Sequence, residues 1–320
     1  MAPLEPGWIE AGHIVQFDEV VAALRRLIKA SGSGTRQVAL AMPDSAVIVG
    51  KIRLPSDLGE TELRRQVATE VERLSGKSLT EMSVDYRAQS RTHDSRQGRE
   101  VEVWIAAAAK DQVQDRLGLA EAAGLDAVIL DVEAEASMMA ARRLVKTRYS
   151  TSTNPLMALI QVETAGYSLH VTHQGEVVHA LHKPAVGANP IEQSPQAYPR
   201  DKPSDPGQPC QEVLPGTYAQ AVLQPWIHGL ADSMASELDG FVSASTHQKI
   251  DTILLAGGSS HLPALLNAIK RRTFSDCVLV DAFSGMRVNE TLQNLAVQSA
   301  GRSSMLTACG LALRRFHGLC

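Results

Sequence analysis

The sequence predicts an α/β protein built as two lobes, and three observations carry that reading. Segments with strand character alternate with segments of helical spacing in both halves of the chain. Its 320 residues, 44 % of them hydrophobic, can furnish one large core or two ordinary ones without metal or disulfide support. Eight of the 15 prolines crowd between Pro184 and Pro215, which excludes a helix or a central strand there and marks an exposed, mobile loop.

Asp18 reads as the cap of a first helix, with Val20, Val21, Leu24, Leu27 and Ile28 recurring at helical spacing and Ser31-Gly32-Ser33-Gly34 as its stop. Two strand-like runs follow, Val38 to Met42 and Val47 to Leu54, with Pro43-Asp44-Ser45 turning between them. Leu63, Val67, Val71 and Leu74 make one stripe of a second helix, whose Arg64, Arg65, Glu70 and Glu72 face water. Val101 to Ala108 is a strand leading into a helix from Asp111 to Ala123, which Gly124 closes. Val128-Ile129-Leu130 predicts a buried strand and Glu133 to Val145 a helix.

The second half repeats the pattern. Leu156 to Val162 is a strand, and Ser168 to His182 a hairpin turning at Gln174-Gly175. After the proline-rich loop, Tyr218 to Ser245 predicts a long helix kinked or broken at Pro225. Thr252 to Ala256 runs as a strand into Gly257-Gly258, then a helix from Pro263 to Arg272, a strand from Cys277 to Val280 and a closing helix from Met305 to Phe316.

Composition excludes several functions. With 31 basic against 35 acidic residues and only 5 Phe, 5 Tyr and 3 Trp, the chain lacks the basic excess and stacking rings of a nucleic-acid binder. Cys210, Cys277, Cys309 and Cys320 stand too far apart for a zinc or redox motif, and read as reduced thiols. No stretch reaches the length of an apolar membrane span, so a cytoplasmic chain is expected.

Three groups of residues could carry chemistry. Gly257, Gly258 and Ser259 follow a buried strand, where glycines let backbone approach a ligand and a following helix would offer unpaired N–H groups; a plain tight turn is the simpler reading. His170, His173, His179 and His182 crowd one hairpin, but residues three apart on a strand point to opposite faces, so no metal is expected. Asp131, Glu133 and Glu135 lie where a strand ends and a helix begins, a place that favours carboxylates by the helix dipole and also suits a ligand crevice. No nucleophile triad, Walker loop or dinucleotide fingerprint is present, so no catalytic residue is assigned.

Read in order, Val38-Ala39-Leu40-Ala41-Met42-Pro43-Asp44-Ser45, Val103-Trp104-Ile105-Ala106-Ala107-Ala108, Ala122-Ala123-Gly124-Leu125-Asp126 running to Glu133, Ile253-Leu254-Leu255-Ala256-Gly257-Gly258 and Ala308-Cys309-Gly310-Leu311 resemble the PilM family of type IV pilus assembly proteins, an actin-like (ribonuclease H-like) family related to FtsA. The resemblance implies two actin-like lobes with a small subdomain inserted in the first. Residues 1–35 would be the remainder of the first lobe, 36–126 the inserted subdomain, 127–153 the first lobe continued and 154–320 the second lobe. It also implies a cytoplasmic scaffold at the inner-membrane face that docks the N-terminal tail of a PilN-like membrane protein, near the groove between the first lobe and the 36–126 subdomain, and it implies ATP with magnesium as a family cofactor.

Two departures bear on that cofactor. The family opens with a strand pair bearing an Asp-x-Gly phosphate loop, whereas only 16 residues precede the first helix here and hold no such loop, as if that part were deleted. The second phosphate loop, expected as Asp-Ile-Gly, reads Gln161-Val162-Glu163, putting a carboxylate where phosphate would sit. Only Gly257, Gly258 and Ser259 remain as an adenosine-side turn, so nucleotide binding is expected to be degraded or lost and no cofactor retained. The alternatives are an active actin-like ATPase, a filament-forming protein, or a platform component of the related type II secretion system.

Overall fold

The computed structural model describes residues 4–5, 7–10, 12–95, 98–148, 156–163, 166–174, 176–184, 223–245, 247, 249–260, 262, 264–287 and 299–314. The proline-rich segment after Pro184, Cys210 and Cys320 lie outside them. The chain divides into two compact units, Met1–Glu133 and Ala134–Arg314.

The first unit opens on a minimal antiparallel pair, β1 (Ile9–Glu10) and β2 (His13–Ile14), followed by α1 (Phe17–Ser31). The cap position of α1 is Gln16, with no side-chain bond, and Asp18 sits inside the first turn, where its charge complements the dipole without capping it. Gly32, at φ +64°, ends the helix in the left-handed region. Val20 and Val21 pack on Leu119 of α3 (Lys110–Ala122) together with Trp8, Ile9 and Ile14. Arg25 ties the same helices by donating to the Ala122 carbonyl at 2.6 Å.

β3 (Gln37–Met42) pairs in parallel with β7 (Asp126–Val132). The Val128-Ile129-Leu130 run expected to be buried is only half-buried, in a sheet that has two strands among the described residues. A separate antiparallel sheet runs in the order β4 (Val47–Pro55), β6 (Gly98–Ala109), β5 (Met82–Ser95). β5 was not among the expected strands, although Met82, Val84 and Tyr86 alternate with polar Ser83, Asp85 and Arg87, the period of a strand with one face in water. α2 (Glu60–Ser75) covers the inner face with buried Val67 and Val71 against Val103, Ile105 and Ala107. Leu74 of its predicted stripe stays 37 % exposed at the rim.

The second unit centres on a five-stranded sheet in the order β10 (Glu176–Pro184), β9 (Gly166–His173), β8 (Leu156–Glu163), β11 (Thr252–Ala256), β12 (Asp276–Leu279). β8 pairs antiparallel with β9 and parallel with β11, so it is the central strand, and its near-continuous apolar run is buried through Val162. One face packs under α5 (Gln224–Ala244) and α6 (Leu265–Thr273), through Ala158, Ile160, Leu169, Val171, Ile227 and Met234. The other holds Leu159, Leu254 and Ala256 beneath α4 (Glu133–Arg148) and α8 (Leu306–Leu313), with the short α7 (Ser299–Ser303) beside them. The expected helix began at Tyr218, but the stretch before Leu223 lies outside the described residues, and Leu223 itself is in the right-handed helical region. As described, α5 runs Gln224–Ala244 with Pro225 in its first turn, where a missing N–H costs least.

Candidate functional site

The parallel register of β8 on β11 sets Ala256 beside Gln161, which brings Val162 and Glu163 against the turn at Gly257 and Gly258. Gly257 adopts φ +98°, and a Cβ there would lie 2.4 Å from the Val162 carbonyl oxygen. Only glycine fits, for conformation and for space. The turn is locked by its own backbone: Gly257 N–H donates to the Ser303 carbonyl at 3.2 Å, and Ser259 N–H donates to the Val162 carbonyl at 2.9 Å. Ser260 Oγ donates to the Gly257 carbonyl at 2.7 Å and bonds Ser303 Oγ at 2.8 Å; both serines are buried.

The Glu163 carboxylate accepts the Gly258 N–H through both oxygens, each at 3.2 Å. The acid that replaces the expected phosphate-loop glycine thus takes a donor of the turn for itself. Glu163 keeps solvent-exposed surface, yet the protein crowded around its carboxyl raises its pKa above the ordinary carboxylate value, and the Gly258 hydrogen bond only partly opposes that desolvation. The native state therefore holds the proton more tightly than the unfolded chain. Stability from this group is full below the ordinary carboxylate pKa and is lost as pH rises through the raised native value. Glu163→Gln is expected to flatten that decline, measured as Tm against pH for both proteins; parallel curves would refute the assignment.

The turn does not open directly into a helix as the sequence suggested. α6 begins at Leu265, after Ala264 in the left-handed region, because the intervening residues fold back through Leu262 N–H to the Ser259 carbonyl and Leu265 N–H to the Leu262 carbonyl. The N–H groups at Gly257, Gly258 and Ser259 all have protein acceptors. Beneath the turn lies a polar layer that the sequence pattern did not reveal, because its members come from separate elements. Ser137 of α4 bonds Thr307 of α8 at 2.9 Å, and Gln161 Nε2 donates to Thr307 at 3.4 Å.

The other candidates separate. His173 lies edge-on to His247 at 4.6 Å between ring centroids, and His179 packs on Phe241 at 5.2 Å, so these two share the α5 face of the sheet. His170 is buried in the middle of β9, directly opposite Leu159 in the register. Among the described residues no group of three or more His, Cys, Asp or Glu is arranged to hold a metal. Asp131 accepts from the N–H of Val132, and Glu133 contributes charge near Arg116, whose pKa burial pulls down. Cys277 and Cys309 are buried free thiols, Cys277 pushed up to about 12 by burial.

A second feature of the first unit joins the β1–β2 turn to α3. Gly12, His13, Ile14, Met42, Gln112, Asp115 and Arg116 line a shallow depression. Arg116 Nη2 donates to the Gly12 carbonyl at 2.7 Å, and Gln112 Nε2 reaches the His13 ring at 3.3 Å. The depression lies between the segments 1–35 and 36–126, at the carboxyl end of β3.

A strand-to-double-glycine turn braced by the end of a neighbouring hairpin strand, in a unit of mixed sheet flanked by helices, makes this an α/β protein with the arrangement expected of an actin-like lobe. A family model described as type IV pilus assembly protein PilM matches residues 1–316, and the chain belongs to that family. A solved PilM-PilN type IV pilus biogenesis complex is similar at TM-score 0.77 with 20 % identity, covering 98 % of this chain and 89 % of that one. Ethanolamine utilization protein EutJ from Carboxydothermus hydrogenoformans matches at TM-score 0.48 and 11 % identity, over 96 % of this chain and 77 % of its own. A Bacteroides thetaiotaomicron protein of actin-like ATPase fold matches at TM-score 0.43 and 12 % identity, over 87 % and 81 %. No helix among the described residues is long and apolar enough to cross a membrane.

Proposed function

We propose that this chain is a docking scaffold of type IV pilus assembly, holding the N-terminal tail of a PilN-like inner-membrane protein and working without a bound nucleotide. The family match across residues 1–316 supports the pilus role, and the similar PilM-PilN complex supports the class of partner. The observation that carries the nucleotide-free reading is the Glu163 carboxylate on the Gly258 N–H. A negative charge already occupies the turn, and an incoming triphosphate would meet repulsion there instead of an unpaired donor. Gly257, Gly258 and Ser259 are on this reading a vestigial adenosine-side turn that now braces the sheet.

The tail docks, in this proposal, at the depression between segments 1–35 and 36–126, the latter taken as the inserted subdomain. Gln112 and Asp115 present polar groups there beside Ile14 and Met42, a mixed surface suited to an extended peptide. Residues 127–153 and 154–320 then continue the first lobe and form the second.

Calorimetry with a synthetic peptide matching the tail of the PilN-like partner tests this. Binding is expected without ATP, weakened by roughly tenfold in Gln112→Ala with Asp115→Ala. A Mg-ATP titration is expected to release no binding heat. Absence of peptide binding by folded protein sinks the docking reading, whereas tight ATP binding revives an ATPase and sinks the vestigial turn.

A further inference from the structure

Phe274 breaks two rules of folding at one position. It is 88 % exposed, far beyond any other large hydrophobic side chain among the described residues. It also occupies the left-handed region at φ 53° and ψ 20°, where a bulky side chain is strained and glycine or asparagine would be at ease. Its backbone closes α6, the N–H donating to the Lys270 carbonyl at 3.1 Å, a task any residue could perform. The fold gains nothing from an aromatic ring here, and strain that folding does not need points to function.

The surroundings say what the ring meets. Lys270 and Arg271 in the last turn of α6 are exposed. Ser275 Oγ donates to the Ile250 carbonyl at 2.8 Å, which draws exposed Lys249 to the same end of the sheet. Lys270 lies 3.7 Å from Asp276 and Arg272 pairs with Asp232, while Arg271 and Lys249 have no ion pair among the described residues. One aromatic knob among charged and hydroxyl side chains is a poor protein interface, which needs several apolar anchors over a complementary area. A bilayer surface needs no complementary shape; it accepts a single inserted ring and rewards adjacent cations when its lipids are anionic.

We propose that the α6–β12 turn is a peripheral membrane contact, Phe274 entering the headgroup region of an anionic bilayer while Arg271, Lys270 and Lys249 meet lipid phosphates. The contact is independent of peptide docking, since vesicles carry no protein partner.

Co-sedimentation of the full chain with vesicles tests it, phosphatidylcholine alone against phosphatidylcholine mixed with phosphatidylglycerol. The chain is expected on the anionic vesicles only, and less so at high salt. Phe274→Asn is expected to cut that binding on the order of tenfold and Arg271→Ala by about fivefold. Phe274→Asn should also raise Tm by relieving backbone strain, which separates lost contact from lost folding. Equal binding to neutral vesicles, no binding to anionic ones, or a lower Tm for Phe274→Asn would each overturn the proposal. So would a Phe274→Asn protein that binds vesicles normally but loses a protein partner.

Discussion

Gly310→Ala will unfold or severely loosen the second unit, with a loss of more than about 4 kcal/mol. Helix propensity alone predicts the opposite, since alanine in a helix interior is favoured over glycine by ~1 kcal/mol. The crossing of α8 on α4 reverses the sign. A Cβ at Gly310 would stand 1.7 Å from the carbonyl oxygen of Ala136 and 2.4 Å from its carbonyl carbon, and neither backbone atom can swing aside as a side-chain tip could. The crossing is lined with small or buried groups, Ala136, Ala140, Ala141 and Cys309, and beside it the Ser137–Thr307 bond fixes the helix register. Separating the helices enough to admit a methyl would open a void along Met138, Leu144 and Leu306, in an interior with little compressibility. Thermal unfolding should show Tm lowered by at least about 10 °C. A change within about 2 °C would mean that the helices do not approach so closely.

Gly257→Ala will cost about 3 kcal/mol or more, by a different mechanism. The residue is left-handed at φ +98°, and its Cβ would meet the Val162 oxygen at 2.4 Å and nitrogen at 2.7 Å. The turn cannot swing away without breaking the Gly257 N–H bond to Ser303 and the bonds of its carbonyl to Ser260 and Ser303, whose hydroxyls are buried. Unpairing those groups adds their desolvation to the steric cost. Gly258→Ala is the control. Its Cβ would lie 3.1 Å from Glu163 Oε2, the end of a flexible side chain that can shift, so the loss should be well under half that at Gly257. Denaturant unfolding of the pair checks this, and equal midpoints would defeat the explanation. The peptide and Mg-ATP titrations bear on function independently, because Gly257 is here a structural residue whether or not a ligand ever reaches it.

Much of the architecture was legible along the chain. The apolar run Leu156 to Val162 announced a strand, the spacing of Val67 and Val71 announced the covering face of α2, and Gly124, at φ +79°, announced the end of α3. These features depend on neighbours a few residues away, so local periodicity and turn chemistry suffice to read them. β5 carries a period-2 pattern, Met82, Val84 and Tyr86 with polar residues between, but its pairing with β6 is something that the pattern of one strand cannot show. The closing turn of the site was legible as Gly257-Gly258, and Glu163 as a carboxylate at the end of β8.

The order of residues along the chain specified what stands at the turn, two glycines and a carboxylate, and its alternation of strand-like with helix-like segments limited the fold to α/β. What these residues do to one another follows from packing. The β8–β11 register, set by side-chain burial over five residue pairs, carries Glu163 across 95 positions of chain to the Gly258 N–H. It also turns two chemically similar glycines into unequal ones, Gly257 against rigid backbone and Gly258 against a movable carboxylate. Contacts between residues distant in sequence come from packing two surfaces together, and the identity of one surface does not specify which atoms of the other will face it.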